Sequence, residues 1–178
     1  MIKDKRDITE GVLKEINALL LLGIKDTPAI TANGEKVKKP ATPGHYKKMP
    51  NHVLQANGKI HKYVEPTHVA AQMHQLCQWL NTAKKEKINP IIISAIAHYN
   101  FVRIHPFDDG NGRGARLLMN LILIAHKLSP AIIRNEDRRE YFNLLTQADS
   151  GDLMPFIVYI AKQVIATQKT IISAIEDI

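Results

Sequence analysis

One cysteine serves 178 residues. Cys77 has no second thiol within the chain, so no disulfide framework staples the fold, and a reducing compartment is expected. Long apolar runs are missing too, and none approaches the roughly 20 residues that span a bilayer. No apolar signal segment heads the sequence, where Lys3, Asp4, Lys5, Arg6 and Asp7 crowd together. Internal repeats and low-complexity tracts are absent, and strand signals are scarce. These gaps exclude a disulfide-stapled scaffold, a helical membrane protein and a repeat array. The expectation is a soluble, cytoplasmic single domain, with a bacterial cytoplasm as the setting.

What is present suits a packed domain. Apolar residues make up 45% of the chain, enough for a core. The net charge of +7 suits acidic partners such as nucleotides. The lysines are scattered, however, in Lys36-Val37-Lys38-Lys39, Lys47-Lys48 and Lys84-Lys85, and read as solvated surface. They stripe no single helix, so nucleic acid is not the expected partner.

Residues 8–22 carry apolar side chains at helical spacing, with Gly23 as a stop. Residues 25–44, holding three prolines and two glycines, read as a loop. Residues 52–56 and 59–64 flank Asn57-Gly58, the dipeptide that a type I′ turn favours, and predict one β-hairpin at about 52–64. Further helices are predicted over 67–80, 91–104, 113–127, 135–147 and 152–175. Asn89 caps the third of the six and Pro90 takes its first position. The fold class is therefore all-α: about six or more helices with one hairpin, which must pack on helices or await an added strand.

The densest chemistry lies in residues 105–116, HPFDDGNGRGAR. His105 closes a very apolar helix where Pro106 discourages its continuation. A histidine fixed there can serve as a general base, its ordinary pKa lying near 6.5. Asp108 and Asp109 are candidate Mg²⁺ ligands, since magnesium takes one or two carboxylates together with substrate phosphates. Gly110 and Gly112 let backbone amides approach an anion, and Asn111 can hold an unusual loop conformation and offer its amide. Arg113 and Arg116, three apart at a helix start, can both reach phosphate oxygens. His98, two helical turns before His105, reads as a packed core histidine. One histidine and two aspartates supply too few ligands for a hydrolytic metal site.

This string resembles the Fic motif of the Fic/Doc family: HPF, a variable residue, Asp or Glu, GNGR, two variable residues and Arg. All nine constrained positions are met. The likeness extends to Gly44-His45-Tyr46, to Gln78-Trp79-Leu80-Asn81 and to Arg139-Glu140-Tyr141, covering about residues 8–176 as a single Fic domain. It implies a helical bundle with a hairpin flap, and a protein adenylyltransferase that moves AMP from ATP to a Ser, Thr or Tyr hydroxyl and releases pyrophosphate. His105 would be the catalytic base and Asp109 the ligand of Mg²⁺ or Mn²⁺, while Asp108 falls on the variable position. Gly110, Asn111 and Gly112 would receive the α- and β-phosphates, Arg113 and Arg116 the β- and γ-phosphates, and Phe107 would anchor the loop. Tyr141, Phe142 and Asp149 stand where family members contact adenine, with a core role as the alternative for the two aromatics. Val53 and Leu54 would dock the target protein on the flap by strand addition.

The resemblance leaves other readings open: transfer of UMP, phosphocholine or phosphate, or a non-catalytic nucleotide- or nucleic-acid-binding module. Many family members carry an inhibitory helix of pattern Ser/Thr-x-x-x-Glu-Gly/Asn, whose Glu pairs with the last motif arginine, here Arg116. Residues 31–35 and 82–86 fit only its first half, and Ser173 to Asp177 has Asp for Glu. A fragment lacking an upstream inhibitory helix, a separate antitoxin-like partner, or no such restraint are the expectations; self-dimerisation is a further one.

Overall fold

The computed structural model describes residues 7–31, 34–54, 58 and 60–176. Within them lie six helices: α1 (Glu10–Leu20), α2 (Pro66–Lys85), α3 (Pro90–Ile104), α4 (Asn111–Ala125), α5 (Arg138–Asp149) and α6 (Met154–Glu176). Two antiparallel hairpins accompany them. β1 (Asp26–Ile30) pairs with β2 (Lys36–Pro40), and β3 (Val53–Leu54) pairs with β4 (Ile60–His61). The all-α expectation with a small hairpin near 52–64 holds, and that hairpin is two residues per strand, in register Val53↔His61 and Leu54↔Ile60.

The first hairpin corrects the reading of 25–44 as loop. Five residue pairs, from Asp26↔Pro40 to Ile30↔Lys36, form its ladder. The turn is closed by Thr31, whose N–H donates to the Glu35 carbonyl at 2.9 Å and whose Oγ1 accepts from the Glu35 N–H at 3.1 Å. Thr31 and Glu35 thus belong to a β-turn, not to an inhibitory helix. The strands were hidden because β2 is mostly lysine and exposed, so no apolar alternation marks it. Asn33-Gly34 was the available signal; Gly34 has φ +84°, and Asn33 lies outside the described residues.

Two helix starts are capped by side chains, one of them the expected Asn89. Thr9 caps α1 by accepting from the Val12 N–H, and the Asn89 side chain accepts from the Ile91 N–H at 2.9 Å ahead of α3. Two compact units emerge. Among the described residues, one comprises residues 7, 80–99 and 116–176, the other residues 8–31, 34–54, 58, 60–79 and 100–115.

The second unit holds both hairpins, α1 and residues 105–115. Its buried side chains include Leu13, Ile16 and Leu21 around α1, Val69, Met73 and Leu76 on α2, and Phe101, Ile104 and Phe107. The first unit buries Ile93, Ala95 and Ala97 of α3, Leu118, Met119, Ile122 and Leu123 of α4, and the facing stripes of α5 and α6. His98 is fully buried there, with Nε2 2.9 Å from the Tyr141 hydroxyl, as a core histidine should be. Among the described residues no helix is long and apolar enough to cross a membrane.

Candidate active site

The loop from His105 to Gly110 is held from every side by backbone and amide hydrogen bonds. The His105 N–H still donates to the Phe101 carbonyl at 3.0 Å, as the last turn of α3 requires. Then φ of His105 turns to +51°, a left-handed conformation uncommon for a residue with a Cβ. That conformation costs on the order of 1 kcal/mol and persists only where the surroundings over-determine it. Here they do. The Lys47 N–H donates to the Pro106 carbonyl at 2.8 Å, and Tyr46 and Phe107 form a β-bridge. The Asn51 amide donates to the Phe107 carbonyl at 2.8 Å and to the His105 carbonyl at 3.4 Å.

Asn111 closes the loop from its far end. Its Oδ1 accepts from the Phe107 N–H at 2.9 Å and its Nδ2 donates to the Phe107 carbonyl at 2.7 Å. The Asn111 side chain, 2% exposed, is therefore committed to the loop rather than offered to a ligand. What it contributes is shape: it sets the start of α4. The first α-helical bond there runs from the Gly114 N–H to the Gly110 carbonyl, so the N–H groups of Asn111, Gly112 and Arg113 precede any intrahelical acceptor. Gly110 has φ +80°, and a Cβ on it would lie 3.1 Å from Asn17 Nδ2, so glycine is required there.

The His105 imidazole is oriented by two contacts. Its Nδ1 lies 3.3 Å from the Val102 carbonyl, an acceptor only, so Nδ1 carries the proton and Nε2 keeps its lone pair. The Tyr63 ring stacks on it, with centroids 3.7 Å apart and planes 21° from parallel. Burial pushes the imidazole pKa down to about 4; the Lys47 ammonium adds to this, while the Val102 carbonyl and Asp109 oppose it. His105 is thus a neutral acceptor at pH 7.

The two aspartates have separate duties. Asp108 is a strut: Oδ1 pairs with Lys39 Nζ at 2.5 Å and Oδ2 accepts from the Thr42 hydroxyl at 2.8 Å, tying the loop to the end of the first hairpin. Asp109 is half-exposed; Oδ1 accepts from the Gly110 N–H at 2.6 Å and Oδ2 lies 3.3 Å from Arg113 Nη2. Arg113 also donates to the Leu20 carbonyl at 3.3 Å. No group of three or more His, Cys, Asp or Glu residues gathers around a metal position among the described residues. A single half-exposed carboxylate fits a divalent cation that takes its other ligands from nucleotide phosphates and water.

Several structural residues carried no chemical signal in the sequence. Asn17 of α1, 2% exposed, donates to the Asp109 carbonyl at 3.0 Å and accepts from the Gly44 N–H at 2.9 Å. A polar residue beside buried Leu13 and Ile16 was its only sign. Lys47 corrects the surface-lysine reading, being 3% exposed. Val53 is exposed on β3; Leu54 shares that strand, its side chain outside the described part. Phe107 is buried, with Tyr46 and Phe101 at centroid distances of 5.5 and 6.1 Å.

The remaining site candidates lie in the other unit. Arg116 is half-buried on α4. Tyr141 is buried with its hydroxyl on His98, the surroundings of a core side chain. Phe142 is 51% exposed beneath the Arg138 guanidinium, and Asp149 accepts from the Tyr99 hydroxyl at 3.1 Å.

Fold and loop together define a helical domain that presents a fixed histidine ahead of a glycine-opened helix N-terminus. Comparison with known proteins makes this specific. A family model described as Fic/DOC matches residues 7–123, and the chain belongs to that family. It is 45% identical over 106 residues to a protein adenylyltransferase Fic of Nematostella vectensis, a match covering 60% of this chain and 24% of the relative. It is 44% identical over 113 residues to the protein adenylyltransferase fic-1 of Caenorhabditis elegans, covering 64% and 22%. The chain thus spans about a quarter of the length of these curated relatives. Among solved structures, a Fic domain-containing signaling protein from Bacteroides thetaiotaomicron aligns with TM-score 0.79 and 31% identity over 93% of this chain and 62% of that one. A Fic-1 structure from C. elegans aligns with TM-score 0.74 and 32% identity over 98% and 46%. Animal and bacterial proteins both appear, so the expectation of a bacterial source gains no support.

Proposed function

We propose that this chain is a protein adenylyltransferase that moves AMP from ATP to a Ser, Thr or Tyr hydroxyl of a target protein. The observation that carries the reading is His105: a neutral imidazole with Nδ1 tied to the Val102 carbonyl and Nε2 left as a base, four residues ahead of Asp109 and six ahead of Asn111, where α4 starts. Curated relatives named protein adenylyltransferase support it. Nε2 takes the proton of the target hydroxyl, its oxygen bonds to the α-phosphorus, and the bond to pyrophosphate breaks.

Such transfers depend mainly on positioning and on charge stabilisation at the leaving group. The amides of Gly110, Asn111 and Gly112, at the positive end of α4, receive the α- and β-phosphates. Arg113 and Arg116, three apart on that helix, clamp the β- and γ-phosphates, Arg113 exchanging Asp109 for phosphate. Asp109 holds Mg²⁺ or Mn²⁺ against the nucleotide, and the ion offsets triphosphate charge when bound. Val53, exposed on β3, together with Leu54 presents a strand edge for the target segment. Tyr141, Phe142 and Asp149 are the adenine candidates, and Phe142 has the exposure a base contact needs. The test is incubation with α-labelled ATP and Mg²⁺, alone and with cell extract. Label should enter the chain or a target protein and vanish in His105→Ala; equal labelling by the variant overturns the assignment.

A further inference from the structure

Lys47 is a lysine where none is needed for packing. It is 3% exposed, in the segment that runs beside the His105–Phe107 backbone. Its N–H donates to the Pro106 carbonyl, and its ammonium donates to Asn51 Oδ1 at 2.6 Å. Asn51 in turn spends its Nδ2 on the carbonyls of His105 and Phe107. The ammonium also sits 5.9 Å from the centroid of Tyr63, the ring that stacks on the imidazole. Backbone, amide latch and ring therefore all lead from one buried cation to one histidine. Burying an ammonium is costly unless it is fully paired, and a methionine or leucine would fill the same space without that cost.

We propose that Lys47 is a positioning residue for His105, its buried charge and its Asn51 latch together fixing the place and the protonation state of the imidazole. The inference rests on the adenylyltransferase reading for its catalytic consequence, though not for its geometry. The latch holds the carbonyl of a residue in left-handed conformation, so the base cannot relax toward ordinary helix or strand backbone. The charge disfavours imidazolium. Beside burial, Lys47 and His61 press the imidazole toward neutrality and Asp109 opposes them; burial brings the Lys47 ammonium itself down to about 8, with Glu65 and Asp108 opposing that shift, so Lys47 is mostly charged at pH 7.

The test is a ¹⁵N-histidine NMR titration of the full chain, with the His105 signal assigned by its loss in His105→Gln. In Lys47→Met the His105 titration should move up by at least about half a pH unit, and in Lys47→Arg it should stay near the wild-type position. Asn51→Ala, which keeps the cation, should lower the rate of AMP transfer on the order of tenfold or more with little change in KM for ATP. A His105 titration unchanged in Lys47→Met, or an Asn51→Ala rate equal to wild type, overturns the proposal. A shifted titration in a protein that transfers no AMP supports the positioning role and sinks the adenylyltransferase reading instead.

Discussion

The acid side of the pH–rate profile tests the base assignment with the widest margin. Burial and Lys47 hold the His105 imidazole at about 4, against an ordinary 6.5. Only the neutral ring can take the hydroxyl proton, so kcat follows the neutral fraction in the nucleotide-bound protein, to which the value of about 4 carries over where Mg²⁺ offsets the triphosphate charge. At pH 5 a pKa of about 4 leaves about 90% of the ring neutral, whereas 6.5 would leave about 3%, a difference of roughly thirtyfold. Initial rates of AMP transfer from pH 8 to 4.5, at saturating ATP and Mg²⁺, measure this; saturation confines nucleotide protonation to KM. We expect kcat to stay flat down to about pH 5. A kcat that falls tenfold per pH unit below 6.5 refutes the reasoning, because the ring would then titrate as if solvated.

The same shift has a stability consequence of fixed sign. The folded pKa lies below the unfolded one, so as pH falls the unfolded chain takes up the proton first. The contribution is complete above about 6.5, declines between there and about 4, and is level below; its full size is at most about 3 kcal/mol. Denaturant unfolding at pH 7 and 4.5 should show wild type losing more stability than His105→Gln, since the carboxylates common to both cancel in the difference.

Two substitutions test the scaffold. A Cβ at position 114 would lie 3.2 and 3.3 Å from ring atoms of Phe101, inside an already filled contact, so Gly114→Ala should destabilise by about 1–2 kcal/mol in thermal melts; an unchanged melting temperature would mean that α4 lies farther from Phe101. Asn17→Ala strands the part-buried Gly44 N–H and Asp109 carbonyl, and should cost about 1–3 kcal/mol of stability as well as slowing AMP transfer, whereas no loss in either would show that the two loops are held by other contacts.

The helices were legible because each carries an apolar stripe or a near-continuous apolar surface, some with recognisable ends such as Asn89-Pro90 and Gly23. β1 and β2 were not, because a strand bearing Lys36, Lys38 and Lys39 presents no buried face, and it is the ladder and the Thr31–Glu35 turn that define it. Candidate chemistry stood out through density: a histidine, two aspartates, three glycines and two arginines within twelve residues. The scaffold of the site did not. Asn17, Lys47 and Asn51 are ordinary polar residues whose partners lie 92, 59 and 56 positions away at the farthest (Asp109, Pro106 and Phe107), a relation that exists only once the chain has folded.

Residue type and duty part company within the motif itself. Asp108 occupies a position that the family leaves variable, and here the first hairpin uses it, through Lys39 and Thr42, as a point of attachment. Gly114 falls on a variable motif position too, yet a Cβ there would press on the Phe101 ring at 3.2 Å. Asn111 is constrained, and its amide is spent on the Phe107 backbone rather than left facing solvent. The constraint on Asn111 is therefore geometric: an aspartate could accept from the Phe107 N–H but could not donate to the Phe107 carbonyl, and a leucine could do neither. A side chain committed to backbone can thus shape the site as much as one that faces it, because Asn111 sets both where His105 leaves α3 and where α4 begins.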